Sequence, residues 1–373
     1  MVVTGPRQSG KSTLVRAEFA GHRYANLERV DTRAFALEDP LGFLSSLGPR
    51  AVIDEVQQAP ALLSAIQVAV DEDAAPGRYV LTGSQNFQLL ASVSQSLAGR
   101  AAVRTLLPLS LAELTQAGLA VDDAYVEFLY RGFYPRIYDY GLHPHRWLED
   151  YVATYVERDI RALSAVQDLN VFRQFVGLLA GRNGHIINAS EVGGNLGVDY
   201  KTVQRWIGLL EVSYVVYRVL PYHRNYAKRV LKKPKLYFYD VGLAAMLQRV
   251  SDPEALYTHP ARSGLFEALV LGELMKAAYN AGKRLVPYFW NAANRHEVDF
   301  LFETARGLVA VEVKSSATIA SDFFKGLTFF GELAGVPPEH RFVVYGGEEV
   351  QSRTSATVLP WRQLDELIAV LLA

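Results

Sequence analysis

The chain has no cysteine and almost no net charge, and each absence excludes some classes of site. Because none of its 373 residues is cysteine, disulfide bonds, thiolate zinc sites and cysteine nucleophiles are excluded. The formal net charge is -1, so any nucleic-acid site must be local rather than spread over the whole surface. No apolar run reaches the roughly 18 residues of a membrane span, and polar and turn residues from Gly5 onward argue against a signal peptide. We therefore predict a cytoplasmic protein with no membrane partner.

Short β-branched runs alternate with helical stretches over residues 1–120. Val2–Val3, Ala51–Ile53 and Tyr79–Leu81 predict buried parallel strands, because these runs are short, apolar and bounded by turn residues. Such alternation favours an α/β fold with a doubly wound sheet and ligands at the carboxyl ends of its strands. Beyond it, the patterns predict a helical region, a winged-helix-like region and a second α/β domain, over residues 121–183, 184–240 and 241–373.

A phosphate-binding pattern follows the first predicted strand. Gly5–Ser12 fits the P-loop pattern G-x-x-x-x-G-K-[ST] and leads into a predicted helix, so the parallel sheet is predicted to be that of a P-loop NTPase. Glycines let backbone N–H groups turn toward phosphate oxygens, and the helix presents its positive end to the same anion. We expect Lys11 to reach the β- and γ-phosphates of ATP and the Ser12 hydroxyl to bind Mg²⁺. The predicted nucleotide-binding residues are Gly5, Pro6, Arg7, Gln8, Ser9, Gly10, Lys11, Ser12 and Thr13.

Polar residues also follow the next two predicted strands. In P-loop ATPases the first acid after such a strand holds Mg²⁺ and the second polarises the attacking water. Asp54 is therefore assigned to Mg²⁺ and Glu55 to the general base. Ser84 is the candidate sensor of the γ-phosphate, with Gln85 or Asn86 as substitutes and a polar turn as the alternative.

Arg100 is a candidate arginine finger, because a guanidinium beside the γ-phosphate would neutralise the charge that develops during transfer. It is expected to act on the phosphate of its own chain or of a neighbouring subunit. Arg131, Arg136 and Arg158 are rivals, and an ordinary ion pair is an equal alternative for each of them.

The middle of the chain carries a candidate nucleic-acid reader. Residues 188–211 predict two helices joined by a tight turn, with Asp199 capping the second helix. Residues on the outer face of that helix are expected to read DNA, and basic residues beyond the following strand to contact its backbone. The candidates are Lys201, Gln204, Arg205, Arg224, Lys228, Arg229, Lys232 and Lys233. A structural or protein-docking module is the alternative.

The C-terminal part places an acid and a Glu-x-Lys pattern on two adjacent strands. Asp299 lies on the predicted strand Glu297–Phe302, and Glu312 and Lys314 share one face of the next strand. This is the arrangement of metal-dependent nucleases, in which the two acids would hold Mg²⁺ and Lys314 would orient or deprotonate water. Glu267 could supply a further carboxylate. The alternative is a pair of surface strands with solvated charges.

At these residues the chain resembles prokaryotic AAA-type ATPases that carry a widespread domain of unknown function behind the ATPase. The ATPase half of the resemblance rests on Gly5–Ser12, Val52–Glu55, Leu81–Ser84, Gly99–Arg100 and Leu107–Ser110. The second half rests on Gly132–Pro135, Tyr155–Ile160, Lys235–Leu243, Leu265–Glu267, Glu297–Asp299 and Glu312–Lys314. The resemblance covers nearly the whole chain, and it implies a C-terminal restriction-endonuclease-like fold of the PD-(D/E)xK type, joined through a winged helix.

Three functions remain open from the sequence. The first is an ATPase that uses ATP and Mg²⁺ and couples hydrolysis to DNA binding or processing. The second is an ATP-dependent switch whose C-terminal half docks a protein partner without nucleic-acid chemistry. The third is a metal-dependent nuclease regulated by ATP. A homo-oligomer is a further hypothesis, because AAA-type enzymes often share active sites between subunits.

Overall fold

The computed structural model of the protein describes residues 1–73, 75–83, 97–119, 122–156, 168–223, 233–292 and 296–373. The chain divides into two compact units, which are residues 1–108 with 212–214 and residues 109–211 with 215–373. No helix among the described residues is long and apolar enough to cross a membrane.

The N-terminal unit is built on a five-stranded parallel sheet. Its strands, in the spatial order β2-β3-β4-β1-β5, are β1 (Val2–Thr4), β2 (Arg23–Asn26), β3 (Ala51–Asp54), β4 (Tyr79–Thr82) and β5 (Val103–Thr105). The parallel sheet predicted from the sequence is confirmed. The two edge strands, β2 and β5, escaped prediction because most of their residues are exposed and no apolar run marks them.

Two hydrophobic layers cover the faces of this sheet. Because successive side chains of a strand point to opposite faces, Ile53 and Leu81 pack in one cluster, and Val52 and Val80 pack in the other with Val15. Among the described residues of this unit, the helices are Lys11–Glu18, Val30–Glu38, Pro40–Leu47 and Ala61–Glu72, with a 3₁₀ turn at Val56–Gln58. This packing fixes all five strands with their carboxyl ends at one edge of the sheet.

The C-terminal unit contains an eight-stranded mixed sheet. In chain order its strands are β6 (Val216–Pro221), β7 (Lys235–Phe238), β8 (Pro287–Ala292), β9 (His296–Thr304), β10 (Gly307–Lys314), β11 (Arg341–Tyr345), β12 (Gln351–Ser352) and β13 (Thr357–Pro360). Their spatial order is β12-β13-β11-β10-β9-β8-β6-β7. β9 and β10, the two adjacent strands predicted from the sequence, form an antiparallel hairpin, whereas β10, β11 and β13 run parallel to one another.

Helices surround this sheet. Eleven α-helical segments are described: Leu111–Gln116, Tyr125–Arg131, Pro135–Asp139, Pro144–Tyr151, Leu169–Ala180, Ala189–Leu196, Tyr200–Val212, Val241–Leu247, Arg262–Asn280, Lys325–Ala334 and Asp365–Leu372. A π-helical turn spans Val152–Val156, and 3₁₀ turns span Glu254–Tyr257, Ser321–Phe324 and Pro338–His340. Arg262–Asn280 is buried along most of its length, because apolar residues occupy nearly all of its faces.

Asp240 ties together two of the sequence motifs of the C-terminal unit. Its buried carboxylate accepts hydrogen bonds from the Phe133 N–H at 2.8 Å and the Leu243 N–H at 2.9 Å. Gly132 lies against this carboxylate with φ of 71°, and a Cβ there would be 2.3 Å from an Asp240 oxygen. A larger residue at position 132 would therefore push the two motifs apart.

The two helices predicted for residues 188–211 are present as helices 189–196 and 200–212. The Asp199 carboxylate accepts from the Thr202 N–H at 2.9 Å and so caps the second helix, while Val203 and Trp206 are buried. The hairpin β6–β7 follows, and Ile186 forms an isolated bridge with Lys235. β6 also pairs with β8, so the strands assigned to the winged-helix-like region belong to the same sheet as the C-terminal strands. The four-part division of the chain stays a prediction.

Candidate functional site

The predicted phosphate loop lies at the carboxyl end of β1, between Thr4 and the helix that begins at Lys11. Gly5 and Gly10 have φ of 143° and 93°, a region that glycine adopts without strain. A Cβ on Gly5 would lie 2.0 Å from the Leu106 carbonyl oxygen, so only glycine fits there. Ser9 is 4% exposed, and its Oγ has no hydrogen-bond partner among the described residues. A buried hydroxyl of this kind needs an explanation, and a bound phosphate would supply the missing partner.

Lys11, the first residue of the helix, is buried beside this loop. Its Nζ donates to the carbonyl oxygens of Gly5 at 3.1 Å and Pro6 at 2.6 Å. Burial lowers the pKa of Lys11 to about 8, although the charges of Glu55 and Asp54 act in the opposite direction. The amine is therefore still mostly charged at neutral pH, and it is held by neutral carbonyl groups that an anionic phosphate can replace.

The remaining predicted nucleotide-binding residues surround this centre. Pro6 is buried, Arg7 and Gln8 are half-buried, and Gln8 has a positive φ of 62°. Ser12 is half-buried in the first turn of the helix that Lys11 begins, whereas Thr13 is exposed.

Asp54 and Glu55 stand at the carboxyl end of β3. Asp54 is 2% exposed, and its carboxylate accepts from the Tyr24 hydroxyl at 2.5 Å and from the Thr82 hydroxyl. Glu55 has a left-handed φ of 58°, and its N–H donates to Thr82 Oγ at 3.2 Å. The side-chain amide of Gln57 donates to the Glu55 carboxylate. A non-glycine residue in this conformation is uncommon, and such residues concentrate at functional sites.

Three residues of this site escaped the sequence analysis: Tyr24, Gln57 and Thr82. Thr82 is the last residue of β4, beside β3, so its position at a strand end was the signal that could have identified it. Tyr24 lies on β2, which the sequence analysis missed altogether. Burial and the bonded Asp54 carboxylate raise the pKa of the Tyr24 hydroxyl, which therefore stays a donor. The candidate sensors Ser84, Gln85 and Asn86 lie outside the described residues.

Arg100 lies at the other edge of the N-terminal sheet. It precedes β5 and lines a cavity of about 210 Å³ together with residues at the starts of β1 and β4, including Met1 and Tyr79. Its guanidinium forms a two-point ion pair with Asp71, at 2.5 and 3.0 Å. Because the P-loop lies at the carboxyl edge, the prediction that Arg100 acts on the γ-phosphate of its own chain is wrong on topological grounds. Action on a neighbouring subunit stays a prediction.

The rival arginines have local partners or lie outside the described part of the chain. Arg131 contacts the carboxylates of Asp123 at 2.9 Å and Glu127 at 3.5 Å, as the ion-pair alternative predicts. The Arg136 guanidinium packs over the Tyr140 ring at 5.8 Å. Arg158 is not among the described residues.

The predicted C-terminal carboxylates are buried next to each other in the C-terminal unit. Asp299 is 5% and Glu312 is 7% exposed, so the alternative of solvated surface charges is wrong. Asp299 accepts from the Val313 N–H at 2.9 Å, and Glu312 Oε1 accepts from Lys314 Nζ at 2.5 Å. Glu312 Oε2 is buried without a hydrogen-bond partner among the described residues. Burial, followed by the charge of Asp299, raises the pKa of Glu312 well above its usual value.

Glu267 and a buried lysine complete this carboxylate cluster. Glu267 accepts from the Tyr237 hydroxyl at 2.8 Å, and burial together with the charge of Asp299 raises the pKa of Glu267 to about 8. Lys235 is 6% exposed, forms an ion pair with Glu297, and lies 3.9 Å from Asp299 Oδ1. In the sequence Lys235 follows closely after Lys232 and Lys233, whereas in the structure its ammonium group compensates these buried acids.

The carboxylate cluster has the donor chemistry of a Mg²⁺ site, and the unpartnered oxygen of Glu312 fits that use. However, across the described ranges no group of three or more histidines and acids is arranged to hold a metal ion. The ammonium groups of Lys235 and Lys314 take up charge that a metal would otherwise neutralise. Metal binding by Asp299, Glu312 and Glu267 therefore stays a prediction that needs side-chain rearrangement.

Only some of the candidate nucleic-acid-binding residues lie in the described part of the chain. Lys201 and Arg205 are exposed and Gln204 is half-buried on helix 200–212, opposite the buried face of that helix. Lys233 is exposed just before β7. The other basic candidates, Arg224, Lys228, Arg229 and Lys232, lie outside the described residues.

Comparison with known families covers most of the chain. Residues 1–115 match the family described as an AAA domain, which supports an AAA-type, nucleotide-binding ATPase in the N-terminal region. Residues 122–254 and 262–364 match two domains of unknown function, DUF8612 and DUF4143. The expected order of an AAA-type ATPase followed by a domain of unknown function is thereby confirmed. The restriction-endonuclease-like fold stays a prediction.

Two proteins are similar in sequence to this chain over its full length. The uncharacterized protein Rv2008c of Mycobacterium tuberculosis is 29% identical over 379 residues, which cover 100% of this chain and 83% of that protein. The uncharacterized protein Mb2031c of Mycobacterium bovis has the same identity and the same coverage.

Proposed function

We propose that the chain binds ATP with Mg²⁺ at the loop Gly5–Ser12 and hydrolyses it to ADP and phosphate. The observation that carries the proposal is the convergence of Lys11, Asp54 and Glu55 at the carboxyl edge of the parallel sheet. Both acids act on the pKa of Lys11, so the three charges lie within electrostatic reach of one another. The match of residues 1–115 to an AAA domain supports the same conclusion.

Each residue has a defined role in this proposal. Lys11 and the loop N–H groups bind the phosphates, and Ser9 Oγ gains the partner it lacks. Ser12 and Asp54 would hold Mg²⁺, which supplies charge neutralisation on the phosphate oxygens. Glu55 accepts the proton of the attacking water as the bond to the γ-phosphorus forms and the bond to the β–γ bridging oxygen breaks. Thr82 orients both acids through its hydroxyl.

Phosphate release from the purified chain, with Mg²⁺ and ATP, tests this proposal. Lys11→Ala should abolish ATP binding, whereas Glu55→Gln should bind ATP without turning it over. Glu72→Gln, an exposed acid at the end of helix 61–72, is the matched control and should retain turnover. Rapid turnover by Glu55→Gln would contradict its role as the general base.

We further propose that hydrolysis is coupled to DNA binding or processing by the C-terminal unit. Exposed Lys201 and Arg205 on a helix-turn-helix support this coupling, since such a helix can enter a major groove while basic groups contact phosphates. Phosphate release should then rise when double- or single-stranded DNA is added. Hydrolysis indifferent to DNA would favour the second candidate, a switch whose C-terminal half docks a protein partner.

The buried carboxylate cluster favours a third candidate, a metal-dependent nuclease regulated by ATP. Asp299→Ala should leave ATP hydrolysis intact and remove any Mg²⁺-dependent cleavage of DNA, and unchanged cleavage would contradict a metal site at Asp299. DNA cleavage that survives in Lys11→Ala would favour a regulatory role of ATP over its use as the energy source for DNA processing.

We also propose that Arg100 acts on the γ-phosphate of a neighbouring subunit in a homo-oligomer. Monomeric behaviour at all concentrations with full turnover would contradict that role.

A further inference from the structure

A large cavity opens at the carboxyl ends of three parallel strands of the C-terminal unit. Ser315 follows β10, Gly346 follows β11 and Trp361 follows β13, and all three residues line a cavity of about 880 Å³. Ligands of α/β proteins commonly bind at such strand ends, and pockets of roughly 300–1,000 Å³ hold small organic molecules. None of its lining residues belongs to the carboxylate cluster or to the P-loop. The cavity is therefore distinct from both of those sites.

Two arginines line this cavity with charges that are available to an anion. Arg262 donates to the carbonyl oxygen of Tyr257, and Arg362 donates to the carbonyl oxygen of Asp123. The Arg362 guanidinium also lies over the Trp361 ring, 4.4 Å from its centroid. Backbone carbonyls and rings orient a guanidinium without neutralising it, so both groups keep N–H donors for a phosphate or a carboxylate. The carboxylates of Asp123, Asp122 and Glu348 also act on the charge of Arg362, so a bound phosphate would compete with them.

Aromatic rings stand beside these arginines. Tyr257 is 44% exposed, and its ring packs edge-on against Tyr125 with centroids 6.2 Å apart. The Tyr125 hydroxyl donates to the Ser315 carbonyl at 3.0 Å, which fixes that ring at the end of β10. An exposed tyrosine ring supported by a second ring offers a surface on which a flat heterocycle can stack.

Acidic groups complete the lining. Asp122 and Glu348 are exposed, and carboxylates there can accept hydrogen bonds from ribose hydroxyls or from exocyclic amines of a base. The Asp123 carboxylate contacts Arg131 at 2.9 Å and is therefore already compensated.

We propose that this cavity is a second nucleotide-binding site, separate from the P-loop. The phosphate binds between Arg262 and Arg362, and the base stacks on Tyr257. The ligand is either a free mononucleotide or a nucleotide at the end of a DNA strand, because both present the same phosphate and base. The inference does not depend on ATP hydrolysis, so it can fail or hold independently of the proposed function.

Binding of AMP to the full chain carrying Lys11→Ala tests this site. AMP lacks the β- and γ-phosphates that Lys11 is expected to contact, and the substitution removes the P-loop lysine as well. We expect AMP binding by isothermal titration calorimetry, with affinity at least about tenfold weaker when Arg262→Gln and Arg362→Gln are added. Arg306→Gln, an exposed arginine in the turn between β9 and β10, is the matched control and should leave affinity unchanged.

A second pair of variants tests stacking. Tyr257→Phe keeps the ring and should retain binding, whereas Tyr257→Ala should weaken it. Circular dichroism melting shows whether each variant is folded. Repeating the titration with a short 5′-phosphorylated oligodeoxynucleotide separates the two sources. Tighter binding of the oligonucleotide that is weakened by the double-arginine change identifies a strand end, and tighter binding of AMP identifies a free nucleotide. Absence of binding by both probes, or binding unchanged in the folded double-arginine variant, would overturn the proposal.

Discussion

Replacing Lys11 with methionine should make the nucleotide-free protein more stable and at the same time abolish ATP binding. Lys11 is 5% exposed, and its pKa is lowered from 10.5 to about 8, with burial as the main cause. That difference corresponds to about 3 kcal/mol by which folding disfavours the charged amine. Methionine removes this penalty but also removes the hydrogen bonds to the Gly5 and Pro6 carbonyls, each worth about 1 kcal/mol. Without nucleotide at pH 7, Lys11→Met should therefore be more stable than the wild type by about 1 kcal/mol.

The pH dependence of this difference identifies its cause. The unfolded chain keeps the Lys11 proton up to its ordinary pKa, whereas the folded chain releases it near pH 8. Because the unfolded state then binds more protons, the stability of the wild type rises with pH in this window relative to Lys11→Met. Between about pH 8 and pH 9.5 the difference in unfolding free energy should move by about 2 kcal/mol in favour of the wild type, so the order of the two proteins reverses.

Thermal melting of the full chain, followed by fluorescence with and without Mg²⁺ and ATP, measures both effects. ATP at 100 times its Kd should stabilise the wild type by about 2.7 kcal/mol and leave Lys11→Met unchanged, which reverses their order. A variant that is less stable than the wild type at pH 7, or a difference that does not change with pH, would refute the reasoning from a buried amine.

Three further predictions follow from other buried contacts. Thr82→Val removes the hydroxyl that donates to the Asp54 carboxylate and accepts from the Glu55 backbone N–H, so kcat should fall about tenfold to hundredfold while Thr82→Ser retains activity; equal turnover in a phosphate-release assay would contradict this role. Lys235→Met leaves its carboxylate partners uncompensated and should destabilise the protein by about 3–5 kcal/mol in chemical denaturation, whereas the exposed control Lys233→Met should change little. Because the pKa of Glu267 is raised to about 8, its folded carboxyl keeps a proton that the unfolded chain releases. Wild-type stability should therefore fall relative to Glu267→Gln as pH rises from about 4.5 to about 8, and parallel melting curves across that range would contradict the raised pKa.

Local sequence patterns carry the prediction of the phosphate site. The segment Gly5–Ser12 is enough to predict phosphate binding, because a phosphate loop is a continuous segment whose backbone supplies most of the contacts. The central strands were predictable for a similar reason, since burial on both faces requires an apolar run. The hairpin β9–β10 and the helix cap at Asp199 also depend on residues close in sequence. The family comparison supports the ATPase assignment independently.

Only the tertiary structure decided which distant residues share a site. Tyr24 and Thr82 meet Asp54 because parallel strands bring their ends together, and no local pattern records that pairing. Strand direction also placed Arg100 at the edge opposite its own P-loop, although the residue lies close in sequence to the sheet.

The clearest contrast is Lys235, which belongs to a basic stretch in the sequence and to a buried acidic cluster in the fold. The residue type determines the charge of a side chain, and its position along a strand determines the face on which it lies. Its partners depend on which strands become neighbours, and here the order of the eight-stranded sheet brings β6, β7, β8 and β9 together from separate parts of the chain. The sequence by itself therefore determined the chemical groups, and the packing of the strands determined which of those groups act on one another.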